Sequence, residues 1–189
     1  GVDISDADFQ ICGEVDAILF GAMGLPDVFF EDGTEVAPHL KIRDKYGLYA
    51  GVRPVKAYPN TPIMLSDKRA KDIDFVILRE STEGMFASRG KGEILNDTIA
   101  RDTMEITRGT SEKLFDFAFE LARKRKSNGS RGEVTCVDKS NVFRSFAFFR
   151  KIFGERAALN PDIIASHNYV DAQALYLVQR PWDFDVLVM

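Results

Sequence analysis

The sequence predicts an α/β fold, on three observations. Short apolar and β-branched runs alternate along the chain with stretches of helical periodicity, the pattern of strands joined by helices. One run, Phe75-Val76-Ile77-Leu78, is apolar without alternation, as a strand covered on both faces must be. Charged groups arrive where such runs end, most abruptly in Arg79-Glu80-Ser81-Thr82-Glu83-Gly84, and the C-terminal ends of strands are where α/β proteins build their sites.

Taken in order, Ala17-Ile18-Leu19-Phe20 reads as a first strand leading into a glycine turn, Gly21-Ala22-Met23-Gly24-Leu25-Pro26. The turn lacks a G-x-G-x-x-G pattern. Residues 27–35, with Asp32-Gly33, read as a loop or hairpin turn. Pro38 suits the first turn of a helix continuing through Tyr46, with His39 and Arg43 one turn apart on one face. Arg53 precedes a proline and is therefore biased to extended geometry. A Pro-rich connection over residues 58–72 leads to the strand at residues 74–79. Residues 89–97, with Gly90 and Gly92, predict a hairpin or protruding arm.

Residues 110–125 predict the clearest helix: Leu114, Phe117, Ala118, Leu121 and Ala122 share a stripe, Ser111 serves as cap, and Asn128-Gly129-Ser130 ends it. Val134-Thr135-Cys136-Val137 is a strand that delivers Asp138-Lys139-Ser140-Asn141, followed by a Phe-rich helix from Phe143 to Phe153. Residues 162–167 form another strand, residues 169–178 a helix with Asp171 near its start, and residues 185–189 a last buried strand. No internal repeat or low-complexity tract interrupts this order.

Length and composition set outer bounds. At 189 residues the chain can bury a sizeable core, and its 45% hydrophobic and 29% charged residues are ordinary for a soluble globular protein. A net charge of −4 argues against nucleic acid as a partner, because no basic surplus exists to neutralise phosphates. The one basic run, Arg123-Lys124-Arg125-Lys126, falls where cations complement a helix C-terminus. Cys12 and Cys136 lack metal spacing and a disulfide framework, which fits a reducing, cytoplasmic setting. No stretch approaches the roughly 20 apolar residues of a membrane span, so no membrane partner is expected. The abrupt, strand-like ends are expected of a fragment.

On residue chemistry alone, Arg43, Arg53 and Arg79 could converge on a polycarboxylate, because the guanidinium fork matches carboxylate geometry. Any single arginine is more often a surface ion-pair partner. Lys139, between an acid and Ser140-Asn141 at a strand end, could move protons, or could be solvated. Asp171 could ligate a hard cation through oxygen or face its helix dipole. His39 is a candidate pocket residue and His167 reads as structural.

The same residues resemble the β-decarboxylating dehydrogenases, the isocitrate/isopropylmalate dehydrogenase family, which includes tartrate/malate enzymes. Leu40-Lys41-Ile42-Arg43 with Leu48-Tyr49-Ala50-Gly51-Val52-Arg53-Pro54 is similar to the family's L-x-x-R and L-(Y/F)-A-x-x-R-P signatures. Leu78-Arg79-Glu80-Ser81-Thr82-Glu83-Gly84 is similar to its R-E-x-T-E-G, Asp138-Lys139-Ser140-Asn141-Val142 to its D-K-x-N-V, and Tyr169-Val170-Asp171-Ala172 to its V-D-A segment.

The resemblance implies the central part of a three-layer fold with a mixed sheet and a dimerisation arm. Residues 1–49 would belong to the cofactor-side domain and 50–189 to the substrate and dimerisation domain. It implies metal- and NAD(P)-dependent oxidation, with decarboxylation, of a malate-type 2-hydroxy acid such as tartrate, isopropylmalate or isocitrate. Arg43, Arg53 and Arg79 would bind the substrate carboxylates, with His39 lining the side-chain pocket and favouring a small or polar substituent. Lys139 would take the hydroxyl proton, Asn141 would meet the nicotinamide of NAD or NADP, and Asp171 would ligate Mg²⁺ or Mn²⁺. Lys139 and Asp171 would complete the partner's site in a homodimer. One position departs: Phe86 stands where the family carries the tyrosine that protonates the enolate. A non-catalytic paralogue that keeps the carboxylate site is the rival reading.

Overall fold

A computed structural model describes residues 3–23, 25, 27–31 and 33–189, in two units, Gly1–Leu48 and Tyr49–Met189. In the first unit, helix α1 (Asp6–Ile11) starts at Ser5, whose hydroxyl accepts from the Asp8 amide. Helix α2 (Pro38–Tyr46) carries proline in its first turn and stops at Gly47, whose φ of 59° is the left-handed cap that glycine supplies cheaply. The Tyr46 hydroxyl donates to the Phe9 carbonyl, and Lys41 pairs with Asp3.

The strand expected at residues 17–20 does not form. Leu19 is fully exposed, and no described strand pairs with the segment. Local apolar character is not enough, because a strand exists only through its ladder partner. Of the glycine turn, Gly24 and Pro26 lie outside the described residues. So does Asp32 of the expected turn at 27–35, where Phe29 and Glu35 form an antiparallel bridge.

In the second unit the long-range order is that of an α/β layer structure. Strands β1 (Ala50–Lys56), β2 (Asp74–Glu80), β5 (Glu133–Asp138), β6 (Ile164–Tyr169) and β7 (Val186–Val188) form a five-stranded sheet in the order β1-β2-β7-β5-β6. Strand β1 runs antiparallel to β2 at the edge, and the other pairings are parallel. Helices α3 (Arg108–Ser127) and α4 (Arg144–Ala158) cover one face. Val76, Leu78, Val134, Cys136, Val186 and Val188 meet the buried phenylalanines of those helices there. Phe115 packs 4.5 Å from Phe149, and Phe119 stacks on Phe153 at 5.7 Å between centroids. Helix α5 (Val170–Gln179) covers the other face through Tyr176 and Leu177, against Phe75, Val137, Phe184 and Leu187. Strand β2 therefore buries successive residues on opposite sides, which is why its run does not alternate.

The arm is present as an antiparallel hairpin, β3 (Glu93–Leu95) and β4 (Ile99–Arg101). Its turn uses Asn96 and Asp97 at φ of 52° and 53°, rather than Gly90 or Gly92. Helix α3 begins at Arg108, two residues earlier than expected. Its cap is Thr107, whose side chain accepts from Thr110 N, while the Ser111 hydroxyl donates to the Thr107 carbonyl inside the first turn. The basic run does end α3, and it is engaged: Arg123 pairs with Asp162, and Arg125 with Asp74 and Asp185. No helix among the described residues is long and apolar enough to cross a membrane.

Candidate functional site

Two of the three arginines come together through strand register. Arg53 on β1 lies opposite Ile77, and Arg79 on β2 lies opposite Gly51. The two are diagonal neighbours on one sheet face, a spacing of roughly 7–8 Å between backbones. Gly51 keeps the space beside Arg79 clear, since a Cβ there would stand 2.8 Å from the Ser81 hydroxyl and 3.3 Å from the Arg79 carbonyl. Arg53 is exposed and Arg79 half-buried, with its guanidinium 5.5 Å from the Phe86 ring centre. Arg43 and His39 form a second group, one turn apart on α2 in the first unit, both half-buried.

The acidic residues after Arg79 are occupied in shaping the chain. Glu80 accepts from Thr82 N and Oγ1 and from Glu83 N, at 2.6–2.7 Å. Glu83 reaches Thr107 N and Oγ1 at 2.8 and 2.5 Å, tying the strand exit to the α3 cap. Gly84 between them sits at φ 69°, ψ −130°, a conformation essentially restricted to glycine, and bridges Glu105. Phe86 follows in a short 3₁₀ turn (Met85–Ser88) and is 39% exposed. It lines a cavity of about 220 Å³, bounded also by Arg79, Met104, Phe146, Phe149 and Met189.

At the C-terminal end of β5, Lys139 Nζ donates to Asp171 Oδ1 at 2.5 Å, across from the first turn of α5. The lysine hydrogen bond, and after it the backbone amides of the helix start, hold the Asp171 carboxyl below its ordinary range. Asp171 is 67% exposed in its side chain, and Asn141 lies exposed in the turn that follows Lys139. Asp171 thus offers a hard oxygen donor of the kind Mg²⁺ or Mn²⁺ takes. No group of three His, Cys, Asp or Glu side chains able to hold a metal occurs among the described residues.

His167 is exposed on edge strand β6 opposite Cys136, so its role is that of a surface strand residue. The Cys136 thiol is raised well above its ordinary pKa by burial, then by the neighbouring Asp138 charge, which leaves it a core residue. A residue that spacing did not single out is Arg150, whose guanidinium forks onto Asp138. Its only signal was a cation on the α4 face turned toward a strand-end acid.

The isocitrate/isopropylmalate dehydrogenase family profile matches residues 1–189. The chain is 39% identical over 189 residues to the 3-isopropylmalate/3-methylmalate dehydrogenase of Methanocaldococcus jannaschii, covering 100% of this chain and 52% of that protein. It is 38% identical over 191 residues to the 3-isopropylmalate dehydrogenase of Bacillus cereus, covering 100% and 51%. The isocitrate dehydrogenase of Methylococcus capsulatus has a similar fold, with a TM-score of 0.73 at 32% identity over 85% of this chain and 46% of that one. A Thermus thermophilus protein, TT0538, superposes equally well, with a TM-score of 0.73 at 34% identity over 85% and 31%. The chain spans about half the length of the curated relatives it matches.

Proposed function

This chain belongs to the isocitrate/isopropylmalate dehydrogenase family, and on that premise we propose that it serves the oxidation, with decarboxylation, of a malate-type 2-hydroxy acid by NAD or NADP with Mg²⁺ or Mn²⁺. The observation that carries the reading is the pairing of Arg53 and Arg79 on one face of β1 and β2. Two guanidinium forks that close together suit a substrate with two carboxylates, and Arg43 on α2 is the further arginine that the family motif assigns to the substrate.

In this reading the Lys139 amine takes the 2-hydroxyl proton as the C2 hydride departs. Asp171 contributes one cation ligand, and Asn141 contacts the nicotinamide side. The bound cation would polarise the hydroxyl oxygen and the nicotinamide would receive the hydride, the two pieces of chemistry that no side chain here supplies. Loss of CO₂ then leaves a carbon that must regain a proton, and Phe86 has none to give, so water or another acid does so. Residues 1–49 serve as part of the cofactor-side domain and 50–189 as the substrate and dimerisation domain.

The partner is a second copy. Ile94 and Ile99 on the arm are 77% and 49% exposed, and Leu175 and Val178 on α5 are 53% and 65% exposed. Such apolar surface supports a homodimer in which Lys139 and Asp171 complete the other subunit's site. The free thiols of Cys12 and Cys136 support a cytoplasmic location.

His39 beside Arg43 favours a small substituent on the malate, and the relatives' names favour an alkyl one, so a 3-methylmalate-like acid satisfies both. The test is turnover of malate, tartrate, 3-methylmalate, 3-isopropylmalate and isocitrate by the full-length protein with Mg²⁺ or Mn²⁺ and each nicotinamide cofactor. Fastest turnover of a small-substituent malate supports the assignment, and fastest turnover of isocitrate or isopropylmalate rejects it. A non-catalytic paralogue that binds carboxylates is the second reading, favoured by Phe86; it requires that no acid in the panel be oxidised.

A further inference from the structure

The turn that carries Lys139 and Asn141 is anchored from behind. Strand β5 ends at Asp138, whose side chain is completely buried, and strand alternation turns Lys139 to the opposite face. Asp138 Oδ1 accepts from Ser140 N at 2.7 Å and from Arg150 Nη2 at 3.0 Å, while Oδ2 accepts from Arg150 Nε at 2.5 Å. The Lys139 carbonyl then accepts from Val142 and Phe143, which closes the turn into α4. The Cys136 thiol adds a weak donor to Asp138 Oδ2 at 3.6 Å, so the charged partner of the carboxylate that shapes this turn is the Arg150 fork.

The same guanidinium has a second contact. Arg150 Cζ lies 5.7 Å from the centre of the Tyr169 ring, and Lys139 Nζ lies 6.0 Å from that ring. Tyr169 is the cross-strand partner of Asp138 and the residue from which α5 starts, two positions before Asp171. Arg150 thus touches the support of Lys139 on one side and the support of Asp171 on the other.

We infer that Arg150 is a positioning residue: its fork on Asp138 and its cation–π contact with Tyr169 aim the Lys139 side chain toward Asp171. This deepens the proposed function and rests on the role given there to Lys139. Stability alone is a weak reason for the arrangement, because a buried ion pair is often matched or exceeded by a hydrophobic pair of similar volume. A planar bidentate fork adds direction, which a lysine in the same place cannot reproduce.

The test uses the full-length protein at saturating hydroxy acid, cation and cofactor. Arg150→Lys keeps the charge and loses the fork. It is expected to lower kcat by about tenfold or more, since misplacement by a fraction of an ångström to an ångström has that effect, while both KM values stay within about twofold. In a Lys139→Met background the same substitution is expected to change the residual rate by less than about twofold, because nothing remains to be aimed. Wild-type kcat in Arg150→Lys overturns the inference. So does an equal loss in the Lys139→Met background, the result a merely structural role would give. Full turnover by Lys139→Met alone overturns the role of Lys139 and this inference with it, whereas failure of Arg150→Lys alone leaves that role standing. Should Arg150→Lys not fold, Asp138→Asn with Arg150→Gln keeps a neutral hydrogen-bonded pair, and the same two comparisons decide.

Discussion

The sheet that presents these groups is tied where strands β2 and β7 begin, by Arg125, and replacing that residue with Met tests how the tie works. Arg125 Nε donates to Asp185 Oδ1 at 2.6 Å, and Nη2 donates to the Asp74 carbonyl and carboxylate at 2.7 and 3.0 Å. The Asp185 side chain is 1% exposed, so Arg125→Met strands a buried carboxylate. Breaking such a pair from one side costs about 3–5 kcal/mol. Asp185 Oδ2 keeps the Gly132 and Glu133 amides at 2.7 and 3.1 Å, which places the loss near the lower end, about 3 kcal/mol. At roughly 2–4 °C per kcal/mol for a chain of this size, the melting midpoint falls by roughly 6–12 °C. Urea and thermal denaturation followed by far-UV circular dichroism measure it. Adding Asp185→Asn removes the stranded charge and should recover at least half of the loss. A single-variant loss below about 1 kcal/mol, or no recovery in the double variant, refutes the reasoning.

Phe86→Tyr should leave stability within about 0.5 kcal/mol, because the cavity beside the ring has room for a hydroxyl. It should speed protonation of the enolate left by CO₂ loss by roughly 10²-fold, the effect of a placed general acid, read as faster formation of the final product from the 2-oxo acid intermediate; an unchanged rate would mean that another donor already protonates the product. Gly84→Ala meets no atom within 4 Å, so its cost is conformational, about 1–3 kcal/mol from the positive φ; a neutral substitution in chemical denaturation would show that this loop is not held as described. Burial pulls the Asp74 carboxyl upward, but hydrogen bonds from Lys56 and Arg125 outweigh it and its pKa ends below the ordinary 3.8. A depressed folded-state pKa gives stability that is whole above the unfolded value and lost as pH falls toward the folded one. Acid titration of stability should therefore steepen below about pH 4, and Asp74→Asn should flatten that limb; an identical slope in the variant counts against the ion-pair account.

Much of the layer order was readable because it rests on local rules. Unalternating Phe75 to Leu78 announced a doubly covered strand, and the stripe Leu114, Ala118 and Ala122 announced α3; both lie in the core as expected. What failed depended on distant partners. Ala17 to Phe20 has strand character and no ladder to join. Ser111 has a cap's chemistry, but Glu83 fixes Thr107 and moves the helix start upstream. For the candidate site, the motifs proposed Arg53, Arg79, Lys139 and Asp171, and only register puts the first two on one face. Glu80 and Glu83, charged groups at the exit of a buried strand, spend their lone pairs on backbone and threonine donors. The Asp138–Arg150 fork joins residues whose facing is decided only when α4 packs on the sheet.

The most direct measurement is calorimetric titration of the hydroxy acid, with cation present, into the full-length protein and into its Arg53→Met and Arg79→Met variants. Each guanidinium should contribute about 1.5–3 kcal/mol through charged hydrogen bonds, so each variant should bind roughly 10- to 150-fold more weakly, and the double variant should show no measurable heat. Wild-type affinity in either single variant would contradict the assignment of β1 and β2 as the dicarboxylate cradle.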